Sequence, residues 1–183
     1  MIIKALIKPV FAFACVLLFV SHLNAQQPQK TPDDTNQQAA VATVRHYLML
    51  RLNNAKWKEY SKFITWPDEP AWDCKWVVCN YSIGKSNKKG NKIIVPVVFT
   101  RLGLFCNNMY FEPAPREVII KYQLEKHSGG WKVSGPDIDY PEIGANIVMK
   151  SLNTLAANAS ETAELCGRAE VMARKINSAC NKR

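Results

Sequence analysis

Histidine is scarce in this sequence, with 3 residues among 183. His46 lies off the apolar stripe of a predicted helix and His127 borders a predicted turn, so neither completes a Ser-His-Asp or Cys-His arrangement. The cysteines and histidines also lack the spacing of a zinc site. No glycine-rich loop follows a predicted strand, so no phosphate cradle is indicated. We therefore expect neither nucleophilic catalysis nor a bound metal or cofactor.

The apolar run Val10–Val20 is too short to cross a membrane as a helix. Lys4 and Lys8 precede this run, and the small residue Ala25 ends the segment over residues 1–25. A positive start, a short hydrophobic stretch and a small residue at the end are typical of a secretory signal peptide. We therefore expect an exported protein, periplasmic or secreted. Cys15 offers lipid attachment as an alternative, but apolar residues follow it where a polar tether is expected.

Acidic residues are outnumbered, with 15 against 24 lysines and arginines, for a formal net charge of +9. The excess is dense only at Lys85, Lys88, Lys89 and Lys92, where glycine, asparagine and serine predict a loop between two strands. Contact of the Lys85–Lys92 loop with an acidic envelope surface is one hypothesis. The plainer interpretation is a solvated hairpin tip that protects a sheet edge. Export disfavours nucleic acid as a partner.

Five cysteines follow the predicted signal peptide, namely Cys74, Cys79, Cys106, Cys166 and Cys180. In an oxidising compartment they should form disulfides, and an odd number leaves one over. Cys74 and Cys79 would lie too far apart to pair within one continuous strand. Cys166 and Cys180 can pair only if their segment folds back. We predict one disulfide among Cys74, Cys79 and Cys106, and a second that involves the C-terminal pair.

Hydrophobic periodicity predicts helices before a sheet. The composition of residues 26–36 predicts a disordered leader. Apolar residues at intervals of three and four then predict a helix over 37–53 and a shorter one over 55–65. Alternation of apolar and polar residues from about 75 to 133 predicts an antiparallel sheet.

The pattern becomes helical again near the C-terminus. Residues 141–157 predict a helix with proline in its first turn, which closes a domain over residues 37–157. Residues 161–178 predict a last helix within a C-terminal tail, residues 158–183. Because its ends are charged, we expect this helix to be a cap or an appendage rather than part of the core.

The predicted sheet ends with the segment Tyr122-Gln123-Leu124-Glu125-Lys126-His127-Ser128-Gly129-Gly130-Trp131-Lys132-Val133. This strand, tight turn and return resemble the last hairpin of the NTF2-like (cystatin-like α+β cone) superfamily, over residues 37–133. The resemblance implies an α+β fold in which N-terminal helices pack on a strongly bent antiparallel sheet, with a C-terminal helical extension. It also implies a cone that can hold a small ligand, and a homodimer formed through the outer sheet face near Ile119. Because the superfamily contains both enzymes and binding modules, the fold does not choose a function.

The segment Trp66–Trp76 has the densest group of unusual residues. It contains two prolines, three tryptophans and three acidic residues, of which we select Trp66, Asp68, Trp72, Asp73 and Trp76 as candidate site residues. Such a loop could close over a ligand, because tryptophans offer flat amphipathic faces. In the plainer interpretation the tryptophans close the open end of the cone and the acids cap turns.

Four further polar residues are candidates for the interior of the cone, namely Tyr60, Arg101, Tyr110 and Tyr122. No carboxylate shares the inward register of Tyr122 on its predicted strand. Tyrosines and an arginine favour the binding of an anion or a carbonyl over proton abstraction. The leading hypothesis is therefore a non-enzymatic domain that binds a small molecule or a protein partner through the Trp66–Trp76 rim.

The alternative is an exported hydrolase or isomerase. In that case Asp68 or Asp73 would be the general base, and Tyr60 or Tyr110 would assist. The sequence leaves this choice between enzyme and binding protein open.

Overall fold

The computed structural model of the chain describes residues 31–68, 73–106, 110–136, 140–158 and 162–181. The helices are α1 (Pro32–Leu52), α2 (Trp57–Tyr60), α3 (Ala145–Ala156) and α4 (Ala163–Asn181), with a 3-10 turn over Ser61–Phe63 after α2. The strands are β1 (Cys74–Ile83), β2 (Asn87–Lys89), β3 (Lys92–Cys106), β4 (Tyr110–His127), β5 (Gly130–Gly135) and β6 (Glu142–Gly144). The predicted signal peptide, Cys15 and Trp72 lie outside the described residues.

The strands form one strongly curled mixed sheet in the order β5-β4-β3-β1-β6, and β2 pairs with β3. Helices pack on this sheet, which confirms the predicted α+β fold class. Four of the pairings are antiparallel, and β6 runs parallel to β1. The short parallel strand corrects the prediction that a helix covers residues 141–157, because the first three residues after Pro141 are extended.

Helix α1 begins with Pro32, and Asp33 and Asp34 occupy its first turn. Proline suits the first turn of a helix, and carboxylates there favour the helix dipole. The helix ends before Asn54, which has a φ of 55° and so provides a left-handed stop. Residues 32–36 are therefore helical, which corrects their assignment to a disordered leader.

The first hydrophobic core lies between α1 and the concave face of the sheet. Val44, Tyr47 and Leu48 form the buried stripe of α1. They pack against the alternating inward side chains of the two long central strands, of which Phe99 and Tyr122 are the largest. The alternation predicted for the strand through Tyr122 is confirmed, because Ile119 on its other face is exposed.

The second core covers the opposite face of the sheet. Val77 contributes to this core while its neighbour Val78 belongs to the first, because successive strand residues point to opposite faces. Helices α3 and α4 close the second core, and Ala169 and Ile176 of α4 are fully buried there. The prediction that the last helix lies outside the core is therefore wrong, since its small and apolar residues pack in the second core with α3.

Two disulfides connect these elements. Cys74–Cys106 joins the first residue of β1 to the last residue of β3, and Cys79–Cys180 fastens α4 to β1. The predicted division of the cysteines is confirmed, and Cys166 is the one left over. Disulfides are typical of proteins that fold in an oxidising compartment.

We expect Cys79–Cys180 to contribute more stability than Cys74–Cys106, because it closes 101 residues of chain against 32. Loop-closure entropy assigns about 4.7 kcal/mol to the longer loop and about 3.7 kcal/mol to the shorter one. Urea unfolding of Cys79→Ser/Cys180→Ser and of Cys74→Ser/Cys106→Ser would measure both losses. A larger loss for the Cys74–Cys106 pair would contradict this order.

Candidate functional site

The concave face of the sheet changes from apolar to charged along β3. Val95, Val97 and Phe99 point from β3 into the first core, and Arg101 is the next residue on that face. Arg101 pairs with Arg116 of β4 on one side and with Val78 of β1 on the other. This end of the face therefore places charged side chains next to a hydrophobic core.

Irregular strand pairing surrounds Arg101. The register of β1 against β3 shifts on both sides of the Val78 pair, and that of β3 against β4 shifts between Arg101 and Gly103. At Gly103 a Cβ atom would overlap the carbonyl oxygen of Glu112, so only glycine permits the close approach of β4 there. Such bulges bend a strand and change the direction of its side chains, and they are common beside functional sites.

Arg101 forms a buried ion pair with Glu142. Arg101 Nη2 donates a hydrogen bond of 2.5 Å to Glu142 Oε1, and the two side chains are 8% and 3% exposed. The pair crosses over β1, because Arg101 lies on β3 and Glu142 on β6. Burial raises the pKa of Glu142, and the hydrogen bond and charge of Arg101 partly oppose that shift.

Trp76 contacts two guanidinium groups. The central carbons of Arg101 and Arg116 each lie 4.7 Å from the centre of the Trp76 ring. Arg116 is exposed and makes no ion pair with a described residue. Trp76, Arg101, Arg116 and Glu142 are called the arginine–tryptophan cluster below. Its two arginines and one glutamate leave an excess of one positive charge.

Three tyrosines of the first core pack at the same face of the sheet, with Tyr122 on β4, Tyr47 on α1 and Tyr60 on α2. The rings of Tyr60 and Tyr122 each stand edge-on to Tyr47 at 6.1 Å, and Arg51 Nη1 donates a 2.7 Å hydrogen bond to the Tyr60 hydroxyl. Burial raises the pKa of Tyr47 to about 12 and that of Tyr122 well above its ordinary value. The charge of Glu142 adds to both pKa shifts, so Tyr47 and Tyr122 lie within electrostatic reach of the arginine–tryptophan cluster.

Two buried polar atoms of this region have no hydrogen-bond partner among the described residues. They are Nε of Arg101 and the hydroxyl oxygen of Tyr122, in residues that are 7% and 2% exposed. Folded proteins satisfy most buried polar atoms, because each unsatisfied one costs about 1–3 kcal/mol. These two atoms are therefore candidates for a hydrogen bond to a bound molecule or to water.

The structure brings together four of the residues selected from the sequence, namely Tyr60, Trp76, Arg101 and Tyr122. Others of the selected residues lie elsewhere. Trp66 packs against the first core, and Asp68 and Asp73 are exposed. Tyr110 lies beside α4 and is 57% exposed.

Several residues of the site were not selected from the sequence. Glu142 was assigned to a helix, and its role depends on the unexpected strand β6. Arg116 continues the inward register of the strand through Tyr122, so extending that alternation upstream would have found it. Tyr47 belongs to the buried stripe of α1, and the helical periodicity gives no signal that separates it from the packing residues around it.

The basic segment Lys85–Lys92 is not a simple loop, because it contains β2. Lys88 pairs with Asp33 at 2.9 Å, and Lys92 pairs with Glu125 at 2.8 Å. Part of its charge is therefore neutralised. Among the described residues, no group of three or more histidine, cysteine or acidic side chains could hold a metal ion. The described helices include none with the length and apolar character needed to span a membrane.

We expect loss of Glu142 alone to destabilise the fold more than replacement of the whole ion pair. Glu142→Ala leaves Arg101 buried and unpaired, which costs about 3–5 kcal/mol. Arg101→Met/Glu142→Leu removes both charges, and we expect it to be more stable than Glu142→Ala in urea unfolding. If the double variant is no more stable than Glu142→Ala, the charged pair itself stabilises the fold, which would contradict this prediction.

No protein-family model, no curated protein and no solved structure matches this chain. The function must therefore be inferred from the arrangement of its side chains.

Proposed function

We propose that this protein is an exported, non-enzymatic binding protein with an NTF2-like fold, and that its arginine–tryptophan cluster holds a small organic carboxylate. The observation that carries the proposal is the buried Nε of Arg101, which has no described partner although Arg101 is otherwise paired with Glu142. An N–H group without a partner is a hydrogen-bond donor that an acceptor from a bound molecule could satisfy.

A carboxylate matches the donors of the cluster. Charge-assisted hydrogen bonds between guanidinium and carboxylate are among the strongest in proteins, and they can engage both oxygens at once. Arg116 is exposed and Arg101 is buried, so the two could hold the same anion from its outer and inner sides. The excess of one positive charge in the cluster favours a monovalent anion over a phosphate dianion, whose burial would cost more.

The surroundings of the cluster favour an anion with an apolar part. Trp76 belongs to β1, which lies between β6 on one side and the two arginine-bearing strands, β3 and β4, on the other. Its ring contacts both guanidinium groups. Val118 follows Arg116 on the same face of β4 and is half-buried. An amphipathic carboxylate could therefore contact apolar side chains while its charged group meets the guanidiniums.

Export is proposed on two grounds. Residues 1–25 have the pattern of a signal peptide. The two disulfides are expected of a chain that folds in an oxidising compartment.

Calorimetric titration with hexanoate and benzoate tests the proposal, with hexanamide and benzamide as uncharged analogues and inorganic phosphate as a second anion. We expect the carboxylates to bind and the amides and phosphate not to bind. Arg116→Met should weaken carboxylate binding at least about tenfold, because it removes a charged hydrogen bond. Arg116 is exposed, so its replacement should leave the fold intact.

Lys121→Met is the matched control, because Lys121 is an exposed cation on the opposite face of the same strand. It should not change carboxylate binding. Three results would overturn the proposal: no binding at about 10 mM, where even a weak millimolar site is occupied, equal binding of the amides, or equal losses in both variants.

The raised pKa of Glu142 favours a second candidate function, a hydrolase or isomerase that uses this residue for proton transfer. Glu142 would then take the role that sequence reasoning gave to Asp68 or Asp73, which are exposed. Turnover of a bound carboxylate that Glu142→Gln abolishes, with binding retained, would favour the enzyme over the binding protein.

A further inference from the structure

A second surface lies on the far side of the sheet, between the start of β4 and helix α4. Tyr110 and Val171 are large apolar residues at this surface and are 57% and 43% exposed. A groove of about 440 Å³ runs between them. Its lining includes Tyr110, Ala163, Glu164, Gly167, Arg168 and Val171, and it is called the α4 groove below.

Gly167 lies at the middle of the exposed helix face in this groove. Apart from its chain neighbours and the backbone of α4 itself, no heavy atom lies within 4 Å of the position that a Cβ atom would occupy there. Ala163 and Val171 lie one turn before and one turn after Gly167 on the same helix face. At its centre this face therefore carries no side chain. A second helix could therefore approach the backbone of α4 closely at this point.

Two charged residues border the α4 groove without forming the ion pair that their spacing permits. Glu164 and Arg168 are exposed and four residues apart, yet neither makes an ion pair with a described residue. Farther along the same helix, Glu170 and Arg174 have the same spacing and do pair, at 3.3 Å. Glu164 and Arg168 thus remain available to charges from outside the chain.

We propose that the α4 groove is the contact surface of a homodimer in which the α4 helices of two copies pack antiparallel about a two-fold axis. Such an axis reverses the order of residues along the helix but keeps the same flank facing the same flank. Glu164 and Arg168 lie on one flank. Each glutamate therefore faces Arg168 of the second copy, and two such pairs form.

The surface fits a second copy because it complements itself. Each copy contributes one glutamate and one arginine, whose charges are opposite. The apolar side chains of the groove can pack against the same side chains of the second copy. Tyr110 and Val171 would be buried in the dimer, which accounts for apolar groups that are otherwise exposed to water.

Analytical ultracentrifugation of the chain with both disulfides formed tests this inference. We expect a concentration-dependent dimer that Val171→Glu dissociates. Arg168→Glu and Glu164→Arg should each weaken dimerisation about tenfold, since each places like charges opposite one another twice. The double variant Glu164→Arg/Arg168→Glu should recover the wild-type dimerisation constant, because the exchange restores both pairs.

Arg174→Glu is the matched control, since it reverses a charge on α4 in the groove that faces α3 instead. It should leave dimerisation unchanged, and so should Ile119→Glu on the outer sheet face, where the resemblance to the cone superfamily placed the contact. A monomeric wild-type chain would overturn the inference. Dissociation by Ile119→Glu alone, or a double variant that does not recover dimerisation, would overturn it as well.

Discussion

The buried ion pair between Arg101 and Glu142 is the constraint on which both faces of the sheet depend. It connects β3 to β6 across β1 and so holds the short parallel strand at the edge of a curled sheet. Strand β6 leads directly into α3, which closes the second core with α4. On the concave face the same pair fixes the guanidinium against Trp76. One interaction thus positions the helices of one face and the charged site of the other.

Stability alone does not account for this arrangement. Removing two charges from water is costly, and a well-packed apolar pair often serves as well as a buried ion pair. Arg101 and Tyr122 add two polar atoms that no described residue satisfies. Binding sites tolerate such costs because a donor held in place loses little entropy when its ligand arrives. The proposed carboxylate would give these unsatisfied donors an acceptor that none of the described residues supplies.

The sequence predicted those structural features that depend only on the spacing of residues along the chain. The stripe of α1, the alternation of β4 and the division of the cysteines follow from spacing and geometry, and the structure confirms them. The bulge at Cys79 and the strand at Glu142 depend on neighbouring strands that no local pattern reveals. For the same reason the sequence identified Arg101 but not its partner. The packing of α4 was missed because alanines bury little surface each and resemble a solvated helix.

The arginine Nε–Hε signals of the ¹⁵N-labelled protein provide the most direct test of the central claim, that Arg101 holds an anion on the concave face. Arg101 Nε is buried, so its signal should exchange slowly with solvent even without a ligand. Hexanoate should shift this signal and that of Arg116, and should leave that of the exposed Arg45 on α1 unchanged. An Arg101 signal that does not move at concentrations that saturate the protein would contradict the account.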